Sequence, residues 1–347
     1  MLFDGLARRA FSLGSDGAAI EPKAPVPGKR LKIGLALGGG AARGWAHIGV
    51  LRVLEEAGIT PDVVAGCSIG AVVGGCYAAG KLGEIETFAL SLTKRRVMGL
   101  LDFHLSGSGL IAGGRLQKLL EIDLHALRVE HLPIRFATVA TELATGHEIW
   151  LTRGSLIDAL RASYALPGVF DPVRLGGRLL MDGALVNPVP VTVARAFGSD
   201  VVICVNLNND IRLRGTVIPD HGEEESDAPE EAAEEPTPRA GLFSQWLDSP
   251  GRRRERRSAP GMATVMIDAF NITQDRISRS RLAGDPPDAM ISPKLAAIGL
   301  FEFHRAAEAI ELGRQAAERA LPDIREMLDS ALSVPGAARG QAQAVAM

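Results

Sequence analysis

Ser68 stands in Gly66-Cys67-Ser68-Ile69-Gly70, a Gly-x-Ser-x-Gly pentapeptide. The run Asp62-Val63-Val64-Ala65 precedes it and Ala71-Val72-Val73 follows. A strand, a sharp turn and a helix are therefore written around one hydroxyl, the context a nucleophile elbow requires. Gly66 and Gly70 let the backbone turn tightly and keep bulk away from the hydroxyl. The helix that starts after Ser68 brings its N-terminal amides, with their partial positive charge, to the same place. The chemistry implied is hydrolysis through a serine nucleophile. A small-residue turn with no catalytic role fits the pentapeptide alone, so the hydrolase reading needs an oxyanion hole and a base.

Gly38-Gly39-Gly40-Ala41-Ala42-Arg43-Gly44 offers the first of these. A glycine run between a strand and a helix is either a phosphate cradle or a set of amides aimed at a developing oxyanion. A dinucleotide site wants an acidic residue about 20 residues on, at the end of the second strand. Gly66-Cys67-Ser68 stands there instead, and no Walker-type Gly-Lys-Ser/Thr is present. The oxyanion reading is favoured, because adjacent parallel strands would bring the loop and Ser68 to the same sheet edge. Arg43 and Gly44 then support the loop. The competing roles for Arg43 are attraction of an anionic head group and a surface ion pair.

Seven histidines are available as a base. His47 lies on the helix beside the glycine loop, His125 and His131 in a polar connection, His221 in an acidic segment, and His304 at the start of a late helix. None sits in a glycine-bracketed turn at a strand end. The better candidate is Asp182, in Leu179-Leu180-Met181-Asp182-Gly183-Ala184. An acid after an apolar strand and before Gly-Ala can project from a sheet edge, although an aspartate capping its own turn is the commoner explanation.

The elements that must position these residues alternate along the chain. Strands are expected at residues 32–37, 63–66, 134–141, 148–152, 179–181, 201–206 and 289–291. Helices are expected at residues 42–57, 69–79, 114–121, 156–165, 262–282 and 303–321. Strand–helix–strand–helix order implies parallel pairing with right-handed crossovers. Strands 134–141 and 148–152 pair across Thr145-Gly146. Residues 1–30 read as a flexible arm, 31–207 as the catalytic core and 208–260 as a disordered insertion. Residues 261–330 complete the same domain with helices, and 331–347 form a loose tail. The insertion is acidic over 220–238, then carries Leu242-Phe243 and Trp246-Leu247 and five arginines between 252 and 257. Aromatic side chains beside arginines suit the surface of an anionic bilayer; a solvated linker is the other reading of residues 241–257.

The bulk numbers narrow the class. A chain of 347 residues with 46% hydrophobic residues can bury a sizeable core, and a net charge of −3 gives no case for nucleic acid. Cys67, Cys76 and Cys204 make no even disulfide framework. No metal and no cofactor are expected, since no ligand-type spacing is present. There is no apolar h-region at the N-terminus and no window near the roughly 18 apolar residues of a membrane span. The expected location is the cytoplasm, with peripheral contact at the inner membrane surface.

Taken together and in order, the glycine loop, the Ser68 pentapeptide and Asp182-Gly183-Ala184 resemble the patatin-like phospholipase family over residues 32–206. Trp45-Ala46-His47-Ile48-Gly49-Val50-Leu51 and residues 162–170 are similar to that family too. Residues 299–306 resemble its bacterial subgroup akin to the catalytic domain of neuropathy target esterase. The resemblance implies a three-layer α/β/α fold with a mostly parallel central sheet. It also implies a Ser68–Asp182 dyad without histidine, amides of Gly38, Gly39 and Gly40 as the oxyanion hole, and phospholipid or lysophospholipid substrates. Many members have one residue fewer between the glycines and the arginine, which leaves open which amides donate. A solvated carboxylate with a pKa near 4 is a weak base, so a dry pocket with few charges is expected around Asp182. The apolar residues Leu100, Leu101, Phe103, Leu105, Leu110 and Ile111 line an acyl channel or belong to the core. The readings from other classes are an α/β-hydrolase with a Ser-His-Asp triad and a non-catalytic membrane adaptor that keeps the fold.

Overall fold

The computed structural model describes residues 30–100, 124, 126–208 and 262–333. The expected arm, the helix at 114–121, the apolar residues 101–111, the segment 241–257 and the tail after 334 lie outside the described residues.

Its strands are β1 (Ile33–Leu37), β2 (Val63–Cys67), β3 (Arg135–Glu142), β4 (Glu148–Leu151), β5 (Val173–Leu175), β6 (Arg178–Asp182), β7 (Val201–Val205) and β8 (Ala289–Ile291). Its helices are α1 (Ala46–Glu56), α2 (Ile69–Ala78), α3 (Leu82–Leu90), α4 (Lys94–Leu100), α5 (Leu156–Tyr164), α6 (Val191–Ala196), α7 (Met262–Gly284) and α8 (Ala306–Ser333). The strands link as β5-β6-β3-β2-β1-β7-β8, with β4 also on β3. Five strands run parallel (β3, β2, β1, β7 and β8) while β4 and β6 meet β3 antiparallel. The mostly parallel sheet is therefore as expected.

Both faces of the sheet are covered. Leu35, Leu37, Val64 and Phe136 face a core shared with α1, α2, α5 and α8. Ala36, Ala65, Ala137, Val202 and Cys204 face the other way, onto α6 and Leu282 of α7. The central strands read as continuous apolar runs because they are buried on both sides.

Register explains how distant residues meet. Thr138 and Val139 of β3 pair with β2 and also with β4, so those two strands lie on opposite sides of β3. Ala140 and Thr141 pair with β4 and with β6. β2 and β6 therefore share one side of β3 and approach each other end to end. β2 stops with Cys67 opposite Val139, and β6 stops with Asp182 opposite Ala140. Neighbouring positions on one strand thus hold the residue before Ser68 and Asp182 itself.

Four elements were not expected: α3, α4, β5 and α6. α6 is six residues long and begins after Pro188-Val189-Pro190, a segment that reads as a loop. α8 was expected to end at residue 321 but runs through Pro322 to Ser333. Burial of Ile324 and packing of Met327 and Leu328 on the core outweigh the hydrogen bond that proline removes. Among the described residues no helix is long and apolar enough to cross a membrane.

Candidate active site

Ser68 sits in the turn between β2 and α2 with φ 55° and ψ −124°. A non-glycine residue with positive φ is strained. Besides Ser68, only Ala41 among the described non-glycine residues shares this feature. Ala41 opens the 3-10 turn Ala41–Trp45 that follows the three glycines. The strain is held in place by close packing. A Cβ on Gly66 would lie 2.5 Å from the Ala71 Cα, and one on Gly70 would lie 2.3 Å from the Leu37 carbonyl oxygen and 2.6 Å from that of Gly38. Only glycine lets α2 start this close to the end of β1. Gly70→Ala should therefore displace the glycine loop. A loss of about 2–4 kcal/mol of stability is expected, together with at least a tenfold fall in hydrolysis. Urea unfolding and a soluble-ester assay would read both.

The Ser68 hydroxyl donates to Asp182 Oδ2 at 2.6 Å. The other carboxylate oxygen, Oδ1, accepts from the Ala184 amide at 2.8 Å. Asp182 is thus also the cap of the 3-10 turn Gly183–Leu185. The capping and the serine-facing readings of this residue hold together, one oxygen each. Gly183 is needed at this turn, since a Cβ there would lie 2.3 Å from the Val139 carbonyl oxygen. The Ala184 side chain is fully buried.

Asp182 is 1% exposed. Burial pushes its carboxyl up to about 6, against the opposing pull of the bonds from Ser68 and Ala184. Asp182 is thus shielded from solvent beside the Ser68 hydroxyl. Burial, with the nearby Asp182 charge, also holds the Cys67 thiol protonated.

β3 fixes the spacing of the pair from both sides. The Thr138 hydroxyl donates to the Gly66 carbonyl at 3.1 Å, and the Thr141 hydroxyl to the Asp182 carbonyl at 2.9 Å. Ser163 on α5 completes the frame. Its hydroxyl accepts from the Ser68 amide at 2.9 Å and donates to the Val139 carbonyl at 2.7 Å. The Asp182 amide donates to Ala165 just beyond the same helix.

The glycine loop lies over the elbow, as parallel pairing of β1 and β2 predicts. A Cβ on Gly39 would stand 3.5 Å from the Ser68 Cβ and 3.5 Å from that of Ala184. The Gly38 amide donates to Val205 O at 3.1 Å and the Gly39 amide to Pro188 O at 2.9 Å. The Gly40 and Ile69 amides make no hydrogen bond among the described residues. Arg43 Nε donates to the Ile298 carbonyl at 2.9 Å, and the Ala42 amide to Leu300 at 2.9 Å. Gly44 lets the 3-10 turn approach α2, because a Cβ there would fall 2.1 Å from an Ile69 methyl carbon.

His47 is fully buried, and its Nε2–H donates to the Gly38 carbonyl at 2.8 Å. Burial lowers its pKa to about 4, so it stays neutral. No described histidine bonds to Ser68 or Asp182. His131 and His147 are exposed, and His125 and His221 lie outside the described residues. Among the described residues no group of three or more His, Cys, Asp or Glu could hold a metal ion. Sequence reasoning missed Ser163 and weighed His47 only as a base, not as a partner of the Gly38 carbonyl. Both stand in stretches that carried the family resemblance, and a serine and a histidine within apolar helices were the available signal.

A family model for patatin-like phospholipase matches residues 35–195. The chain is similar to an NTE family protein of Mycobacterium tuberculosis, 34% identical over 335 residues that cover 84% of this chain and 91% of the relative. It is also similar to a lysophospholipase of Emericella nidulans, 31% identical over 192 residues covering 51% of this chain and 12% of that protein. VipD of Legionella pneumophila superposes with a TM-score of 0.43 at 14% identity, covering 86% of this chain and 67% of VipD. With its glycine loop, serine elbow and Asp-Gly-Ala turn drawn to one sheet edge, the chain belongs to the patatin-like phospholipase family, among its NTE proteins.

Proposed function

We propose that this protein hydrolyses acyl esters of phospholipids or lysophospholipids with Ser68 as nucleophile and Asp182 as its base. The reading is carried by the 2.6 Å bond from Ser68 Oγ to a desolvated carboxylate. Ser68 Oγ attacks the ester carbonyl while its proton passes to Asp182 Oδ2. The tetrahedral intermediate then collapses, the C–O bond to the alcohol breaks, and Asp182 returns the proton to the leaving oxygen. Water enters, gives its proton to Asp182 and attacks the acyl-serine. The fatty acid leaves and the Ser68 hydroxyl is restored.

The oxyanion needs amides that are not already used. Gly38 and Gly39 donate to backbone carbonyls, so we assign the hole to the amides of Gly40 and Ile69. Gly38 and Gly39 shape the loop, with His47 and Arg43 holding it from behind. Ile69 follows the nucleophile and opens α2, the position from which an elbow supplies an oxyanion donor.

A fluorophosphonate probe combined with a lysophosphatidylcholine hydrolysis assay tests the proposal. The expected result is stoichiometric labelling of the Ser68 peptide and release of fatty acid that the probe abolishes. Wild-type protein that neither labels nor cleaves acyl esters would instead favour a non-catalytic adaptor.

A further inference from the structure

Ser163 is chemically out of place where it stands. It lies in the last turn of α5, whose other buried residues are Leu156, Ile157, Ala159, Leu160 and Ala162. Ser163 is itself fully buried. Alanine would suit this position better as a helix former and would leave no polar atom to satisfy. A serine inside a helix commonly turns its hydroxyl back onto the carbonyl four residues earlier. The Ser163 hydroxyl reaches across to other elements instead. It accepts from the Ser68 amide at 2.9 Å and donates to the Val139 carbonyl at 2.7 Å.

Two observations give that hydroxyl a role beyond packing. The first is its place in the sheet. β2 ends with Cys67 opposite Val139, and Asp182 lies opposite the next residue of β3, Ala140. The hydroxyl stands between the Val139 carbonyl and the amide of Ser68, the residue that follows β2. It therefore carries the link between β3 and the elbow one step past the end of the strand. The second observation is that the same helix end also holds the base. The Asp182 amide donates to the Ala165 carbonyl at 2.9 Å, and a helix end leaves such carbonyls without an internal partner. One buried helix end thus grips the backbone of Ser68 and of Asp182. It also secures Ser68 at φ 55°, a strained conformation that persists only where its neighbours over-determine it.

We propose that Ser163 is a positioning residue that sets the separation of Ser68 Oγ and Asp182 Oδ2 for proton transfer. This rests on the Ser68–Asp182 reading above. Without the hydroxyl, the Ser68 amide loses its partner, the elbow relaxes from its strained φ, and the 2.6 Å bond to Asp182 lengthens. Ser163→Ala removes that one group. Turnover of a soluble short-chain ester is measured per Ser68 titrated with a fluorophosphonate probe, and circular dichroism checks the fold. kcat should fall about thirtyfold or more, with KM unchanged to within about twofold. The pH profile is the second readout. The Asp182 carboxyl accepts from Ser68 and from the Ala184 amide, and the Cys67 thiol beside it stays protonated. A weaker Ser68 bond pulls that carboxyl down less, so the acid limb of kcat/KM should move to higher pH. A variant with wild-type kcat per titrated site, or with its acid limb in place, would overturn the proposal whatever its melting temperature. Loss of the wild-type dichroism spectrum would overturn it too, because the hydroxyl would then serve the fold and not the spacing. A wild type that neither labels nor cleaves the ester fails the hydrolase reading, whereas an equally active variant of an active wild type fails this one alone.

Discussion

Ser68→Ala is expected to lower kcat for acyl-ester hydrolysis by on the order of 10⁵-fold while leaving the fold intact. The hydroxyl is the atom that would form the acyl bond, and it bonds to Asp182 Oδ2. Alanine at φ 55° is no more strained than serine, so the elbow persists. What changes is Asp182. It loses a hydrogen bond that holds its pKa down, so its carboxyl becomes harder to ionise. Burst kinetics with a chromogenic ester would measure the loss. Purified Ser68→Ala retaining more than about a hundredth of the wild-type rate would exclude Ser68 as the nucleophile, since without its oxygen no acyl-enzyme can form.

Asp182→Asn should separate activity from stability. In the proposed mechanism the base form is the carboxylate, and burial raises the group from 3.8 to about 6. Wild-type kcat/KM should therefore fall about tenfold per pH unit below pH 6 and level off above it. Asparagine accepts no proton, and a loss on the order of 10⁴-fold is expected. Stability moves the other way. A carboxyl raised in the folded state favours the fold while protonated, below its unfolded value of 3.8. That advantage is lost as pH rises through about 6, reaching on the order of 3 kcal/mol at pH 8. Neutral asparagine escapes this cost and keeps an oxygen for the Ala184 amide. Melting curves should place Asp182→Asn several degrees above wild type at pH 8 and level with it at pH 4. A variant less stable than wild type at pH 8 would mean that Asp182 is not desolvated.

The parts of this arrangement that were legible in the sequence are local. β1, β2 and α2 follow from apolar runs bounded by glycines, and the β3–β4 hairpin from Thr145-Gly146 between two apolar stretches. Asp182 could be picked out because it ends a strand. The reason it meets Ser68 could not, because that depends on β6 sharing a side of β3 with β2. Register across 114 residues leaves no local trace. The division of labour among the glycines was hidden for a similar reason. Gly38 and Gly39 are occupied by carbonyls from Val205 and Pro188, far along the chain. α6 escaped notice because it is one and a half turns held by tertiary packing rather than by periodicity. α3 and α4 escaped because their apolar positions are interrupted by charge.

The glycine loop also has a history within each molecule. Its outer side is tied to the carbonyls of Ile298 and Leu300. The α1 helix that follows it touches α8 backbone to backbone where Gly49 meets Ile310 and Gly313 meets Ala46. On the ribosome, Ser68 and Asp182 emerge well before these partners. A nascent chain halted near residue 290 would already hold both reactive side chains, yet its loop would lack its clamp and α1 its neighbour. Hydrolytic competence should therefore arrive late in synthesis, after α8 has docked. With that timing, a half-made chain would stay inert while it is still being translated.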